Sequence, residues 1–300
     1  VATTNIVGAV LANVAGELAE LTVLMEVGQN PHSYEPTPSA LRTVDRADII
    51  FANGLGLEEA LLEDLESVAG GRLVELSADI DPLESEGDDH HEDEHAEDEH
   101  ADDDHEDEEH ADDHGHEHEQ GDPHVWTDPN NVMRWVQMMV ETLSGADPEN
   151  AEAYRTAGEQ YIAELQELDA WIREQVAAIP AARRKIVADH ETLRYFADRY
   201  GFTTVGTIVP GTSDSAESSP RDVARLVDVI RREEVPAIFV GRTASRGMRR
   251  LAEAVAAEVE RDVEILPTLT GSLAPEGERG DTYIEYMRYN VDQIVRGLAR

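Results

Sequence analysis

The stretch "DPENAEAYRTAGEQYIAELQELDAWIREQVAAIP", residues 147–180, decides the fold. Asp147 and Pro148 form a helix start, Pro180 forms a stop, and Gly158 is the only breaker between them. The spacing predicts one helix of roughly 30 residues, about 45 Å long at 1.5 Å per residue, which is more than a single small domain requires. A helix of that length with substantial chain on both sides reads as a connector.

Working outward, both flanks alternate strand-like and helix-like segments. Before it come "LTVLMEV", a helix around "SALRTVDRA", "ADIIFANG", "LEEALLEDLESVAG" and "RLVEL", and the opening "VATTNIVGAV" reads as the start of a strand. "TDPNNVMRWVQMMVETL" then begins a helix with Asp128 as N-cap and Pro129 as first residue. After residue 180 the series is "KIVAD", "ETLRYFADRYG", "TTVGTIV", "PRDVARLVDVIRREE", "AIFVG", "RGMRRLAEAVAAEVE", "VEILPT" and a last helix through "YIEYMRYNVDQIVRGLA". Repeated βα units imply parallel sheets, so the expected fold is α/β, two such lobes joined by one long rigid helix. The expected boundaries are an N-terminal lobe over 1–146, the linking helix over 147–180 and a C-terminal lobe over 181–300.

One segment fits neither lobe. Residues 84–122 hold 22 of the 65 acidic residues, no Lys or Arg, and nine of the twelve His: His90, His91, His95, His100, His105, His110, His114, His116 and His118. Almost nothing apolar but Ala occurs there, so it reads as a disordered surface loop. Its five-residue His period suits neither face of a helix nor of a strand. Two readings stay open: a solubilising acidic loop, or a flexible, weak secondary metal collector in which carboxylates raise the local cation concentration.

The rest of the chain still carries 43 acidic against 24 basic residues, a field that repels phosphate backbones and excludes nucleic acid as partner. Without cysteine, any metal must be held by nitrogen and oxygen. No run of 18 apolar residues exists, and the opening lacks the basic n-region of a signal peptide while resembling the start of a processed chain. Export is therefore permitted by the sequence.

Three His remain: His32 in "GQNPHSYEP", His124 in "GDPHVWTDP" and His190 closing "KIVADH". All fall at or beyond the carboxyl ends of expected strands or in loops leading to helices, where open α/β sheets bind ligands. Asp281 in "GERGDTYIEYMRYN" could be a fourth ligand or simply a helix cap.

Together "ATTNIVGAVLANVAG", "NPHSYEPTPSALRTVDRADIIFANGLGLE", "DPHVWTDP", "DHETLRYFADRYG", "SSPRDVARLVDVIRREEVPAIFV" and "GDTYIEYMRYNVDQIVRGL" resemble the zinc/manganese solute-binding proteins of ABC importers. The resemblance covers nearly the whole chain and includes an acidic, His-rich insertion where zinc-type members often carry one. It implies a periplasmic or cell-surface receptor with a metal at the interface of two lobes, bound by His32, His124, His190 and Asp281. It further implies delivery to the membrane permease of an ABC importer, with a zinc metallochaperone as a second candidate partner and a monomeric receptor. One departure is Gly241, where relatives often carry an acidic residue; another is the lack of the disulfide found in some zinc members.

Three neutral imidazoles and one carboxylate suit Zn(II), whereas Mn(II) favours more oxygen. Zn(II) is therefore the expected transported ligand, and a manganese receptor is the alternative. A metal-binding adhesin or buffer and a zinc hydrolase with Asp281 as general base are further readings. No G-x-S-x-G or H-E-x-x-H motif accompanies the His set, so the protein is not expected to be an enzyme.

Overall fold

A computed structural model describes residues 1–58, 61, 69–83, 121–213 and 218–299. The nine tract His and most of the expected helix "LEEALLEDLESVAG" lie outside the described residues.

The opening differs from expectation. Only Ala2 bridges into a sheet, and Asn5–Ala15 is a helix, α1. Thr4 caps it by accepting from Val7 N at 3.1 Å, and Gly16, at φ 53°, ends it. Ala2 pairs in parallel with Val23 on one side and Phe51 on the other. Helix α2 (Pro38–Arg46) leads into strand β1 (Ile50–Ala52), which pairs in parallel with β2 (Leu73–Glu75). The ladder Ala2 N to Thr22 O, Leu24 N to Ala2 O and Thr3 N to Phe51 O joins these into one parallel arrangement, ordered residues 22–25, 1–3, β1, β2. The expected strand "LTVLMEV" thus survives as a short bridged edge.

Helix α3 (Pro129–Ala146) starts on Asp128, whose carboxylate accepts from Asn130 N at 2.9 Å. The long helix α4 runs Ala151–Val176, after a single 3-10 turn at Pro148–Asn150. It is no free-standing strut: it packs along α1, α3 and the C-terminal helix. Gly158 permits this, because a Cβ there would stand 2.4 Å from Val140 Cγ2 of α3.

The second sheet holds β3 (Lys185–Ala188), β4 (Thr203–Thr207), β5 (Ala237–Gly241) and β6 (Glu264–Thr268), all parallel, in the order β4-β3-β5-β6. Between the strands lie α5 (Arg194–Tyr200), α6 (Pro220–Arg232) and α7 (Arg246–Glu258), and α8 (Tyr283–Leu298) follows β6. In both sheets the second strand in sequence lies outside the first, and the third and fourth lie on its other side. The two halves repeat one topology.

Each sheet is buried on both faces. A central core runs from Val7 and Phe51 through Trp135, Leu165 and Ile172 to Phe239 and Tyr286, so α1, α3, α4 and α8 serve both sheets. A smaller outer core under α2 includes Val44 and Ile50, and another under α6 and α7 includes Ile230, Ile238 and Val255. Hydrogen bonds cross between the halves near the carboxyl ends of the strands: Asn5 Nδ2 and Gly28 N both donate to Ser272 Oγ, at 3.2 and 2.8 Å. Leu273 N donates to Asn5 Oδ1 at 2.8 Å. No helix among the described residues is long and apolar enough to cross a membrane.

Candidate metal centre

Each of the three non-tract His reaches its place by a different local device. His32 sits in the 3-10 turn Pro31–Ser33, where Asn30 Oδ1 accepts from His32 N at 3.1 Å. Pro31 abuts Gly271, where a Cβ would come within 2.6 Å of the proline ring. His124 immediately precedes the 3-10 turn Val125–Thr127 that feeds α3. His190 lies two residues beyond the end of β3.

The structure brings all three together. Ring centroids are 5.1 Å apart for His32 and His124, 5.5 Å for His32 and His190, and 5.2 Å for His124 and His190. One nitrogen from each ring lies within 4.8 Å of the other two, a triangle of donors able to face a single cation. His124 and His190 are buried, while His32 is partly exposed.

Two carboxylates stand behind this triangle. Asp122 Oδ1 accepts from His124 N at 3.0 Å and lies 2.8 Å from His124 Nδ1. Asp189 Oδ1 accepts from His190 N at 2.9 Å and lies 3.1 Å from His190 Nδ1, while its Oδ2 accepts from Gly241 N at 2.7 Å. A Cβ at Gly241 would fall 3.0 Å from Asp189 Oδ2 and 2.7 Å from Thr270 Oγ1. The glycine therefore fits a space that Asp189 already fills with negative charge. Asp122 and Gly121 fall within the segment read from sequence as disordered loop, yet both are buried, and Asp122 N donates to Leu83 O at 2.9 Å. Sequence reasoning assigned Asp122 and Asp189 no part. Their positions two and one residues before a candidate ligand were the available signal.

Asp281 is not brought into the group. Its Oδ2 accepts from Gly277 N at 2.8 Å, and the cap of α8 is the next residue, Thr282, whose Oγ1 accepts from Glu285 N at 3.3 Å. In this structure the residue is not the cap, and it stands outside the donor group of the three His.

Electrostatics leave His32 and His124 neutral and ready to ligate. Burial, and then the neighbouring His124 and His190, push His32 down to about 2. Burial also lowers His124, against the opposing pull of Asp122. Burial raises the Asp189 carboxyl, but the adjacent His190 ring and the N–H groups of Gly241 and His190 outweigh it and hold the group low. A His held neutral in the fold but free to protonate when unfolded contributes stability that is intact above about pH 6.5 and falls as the pH drops below it. The metal-free protein should therefore lose about 1.4 kcal/mol per pH unit for each such His below pH 6.5. Urea melts at pH 7 and pH 5, compared with a His32→Gln/His124→Gln variant, check this. Equal pH dependence in the two proteins would refute it.

Fold and site together define a metal-binding substrate-binding protein: two parallel α/β halves with a cluster of cation donors where their strand ends meet. The chain belongs to the ZnuA family, Zinc-uptake complex component A periplasmic, whose profile matches residues 1–297. It is 34% identical over 297 residues to the manganese-binding lipoprotein MntA of Halalkalibacterium halodurans, covering 99% of this chain and 87% of that one. It is 28% identical over 311 residues to the manganese ABC transporter substrate-binding lipoprotein PsaA of Streptococcus anginosus, covering 100% and 89%. Among solved structures, the periplasmic zinc binding protein TroA of Treponema pallidum superposes with a TM-score of 0.82 at 26% identity, covering 100% and 98%. Members of the family are receptors for metal transport, and the protein is not an enzyme.

Proposed function

We propose that this protein captures Zn(II) outside the cytoplasm through His32, His124 and His190 and passes it to the membrane permease of an ABC importer. The observation that carries the choice of metal is the donor triangle itself: three imidazole nitrogens within 4.8 Å of one another, with no carboxylate oxygen grouped with them among the described residues. Nitrogen-rich sets favour zinc, while Mn(II) prefers oxygen donors and stands lower in the Irving–Williams order. Asp281 enters the same proposal as the fourth ligand of the metal-bound form. Its support is the "GDTYIEYMRYN" motif together with the preference of Zn(II) for four ligands where the group supplies three. The extracytoplasmic location draws its support from the word periplasmic in the family description and lipoprotein in the names of the relatives.

A manganese receptor is the second reading, favoured by the manganese named in both relatives. Competition titration of the purified protein with Zn(II) and Mn(II) separates the two. Zinc should bind far more tightly, and His190→Glu, which adds a hard oxygen and a negative charge, should narrow the gap. A wild type that prefers manganese would overturn the zinc assignment.

A further inference from the structure

The three imidazoles are not equivalent, and the difference lies behind them. A carboxylate can only accept a hydrogen bond, so the 2.8 Å contact from Asp122 Oδ1 places the proton of His124 on Nδ1 and leaves the Nε2 lone pair facing the triangle. Asp189 Oδ1, 3.1 Å from His190 Nδ1, favours a proton on the same nitrogen of the second ring by charge and proximity. Both acids are as buried as the rings they face: Asp122 is 0% exposed and Asp189 2%. Asp189 is held from three directions, whereas Asp122 Oδ2 has no hydrogen-bond partner among the described residues. A buried carboxylate left half-satisfied is costly, and its retention calls for a compensating positive charge nearby.

We infer that Asp122 and Asp189 are paired positioning residues that fix Nε2 of His124 and His190 as the ligating atoms and together supply the two negative charges that a buried divalent cation requires. The inference rests on the proposed use of the His triangle as a metal site. Three neutral imidazoles bring no charge, so without these acids a dication would enter a buried site uncompensated until another anion arrived. With them, the centre is balanced before any fourth ligand closes it. Carboxylates in this role also raise the basicity of the imidazole they face.

The test uses the full-length chain. Asp122→Asn and Asp189→Asn each keep an oxygen acceptor of similar shape but remove the charge. Each should weaken Zn(II) binding, measured by competition with a chelator, by about 10- to 100-fold. Affinities within about twofold of wild type in both variants would overturn the inference. A second measurement needs no substitution and is independent of folding in the variants: nitrogen-15 NMR of the imidazoles in the metal-free wild type. The proton should lie on Nδ1 of both His124 and His190, and a proton on Nε2 of either ring would overturn the assignment. If His124→Ala binds zinc as the wild type does, the proposed metal site fails, while the NMR result stands or falls separately.

Discussion

Replacing His124 by Ala should lower Zn(II) affinity by more than about 100-fold, the loss of a direct ligand exceeding the upper end of what the loss of a supporting residue costs. His124 is 1% exposed and its ring lies 5.1 Å from that of His32 and 5.2 Å from that of His190. It links the turn after the first sheet's edge to the end of β3 in the second sheet. Without it, two imidazoles from opposite halves face a gap left by the ring, and Asp122 keeps a buried charge with its closest partner gone. Chelator competition reports the tight site over any weaker binding. An affinity within about threefold of wild type would remove His124 from the ligand set.

The largest effect on stability should come from Trp126→Ala, at about 3–5 kcal/mol. Trp126 is 1% exposed, its Nε1 donates to Tyr286 Oη at 3.0 Å, and its carbonyl accepts from Tyr283 Oη at 2.7 Å. Tyr286 in turn donates to Thr270 O at 2.7 Å. Removing the indole opens a cavity at the start of α3, leaves the Tyr286 hydroxyl without its donor, and takes away the ring that packs edge-on against His124 at 5.2 Å. Urea denaturation of the two proteins measures the cost, and zinc affinity should fall with it. A loss below about 1 kcal/mol would show that the site is held by other contacts.

Much of the fold was legible because strands buried on both faces read as short unbroken apolar runs between breakers. "AIFVG", buried at every position as β5, is the clearest case. Helices were legible where their ends were punctuated, as at Asp128 and Pro129. The opening helix was missed for a related reason: "NIVGAVLANVA" is buried on most sides, so it lacks an amphipathic stripe, and its Val and Ile favour a strand reading. Thr4, three residues before Val7, was the overlooked cap.

At the site, His32, His124 and His190 stood out because nine other His could be set aside into one tract. That same tract hid Asp122, the last of its 22 acidic residues, which is buried against a candidate ligand. Asp281 is the residue that a motif alone marked: in the metal-free structure its Oδ2 accepts from Gly277 N, and its place as fourth ligand is part of the proposal above.

One contact in the triangle sets its outer member apart. His32 Nε2 lies 3.1 Å from His124 Nε2, and among the described residues no carboxylate stands behind the His32 ring as Asp122 and Asp189 stand behind the other two. With Asp122 holding the His124 proton on Nδ1, as inferred above, His124 would present a lone pair at that contact and His32 would supply the hydrogen. On that inference a cation seated between the two rings would take the place of that hydrogen. His32 is also the partly exposed member, so its ring faces the route to solvent. The outer wall of the pocket is thus the side without a carboxylate brace, while its inner half is braced twice.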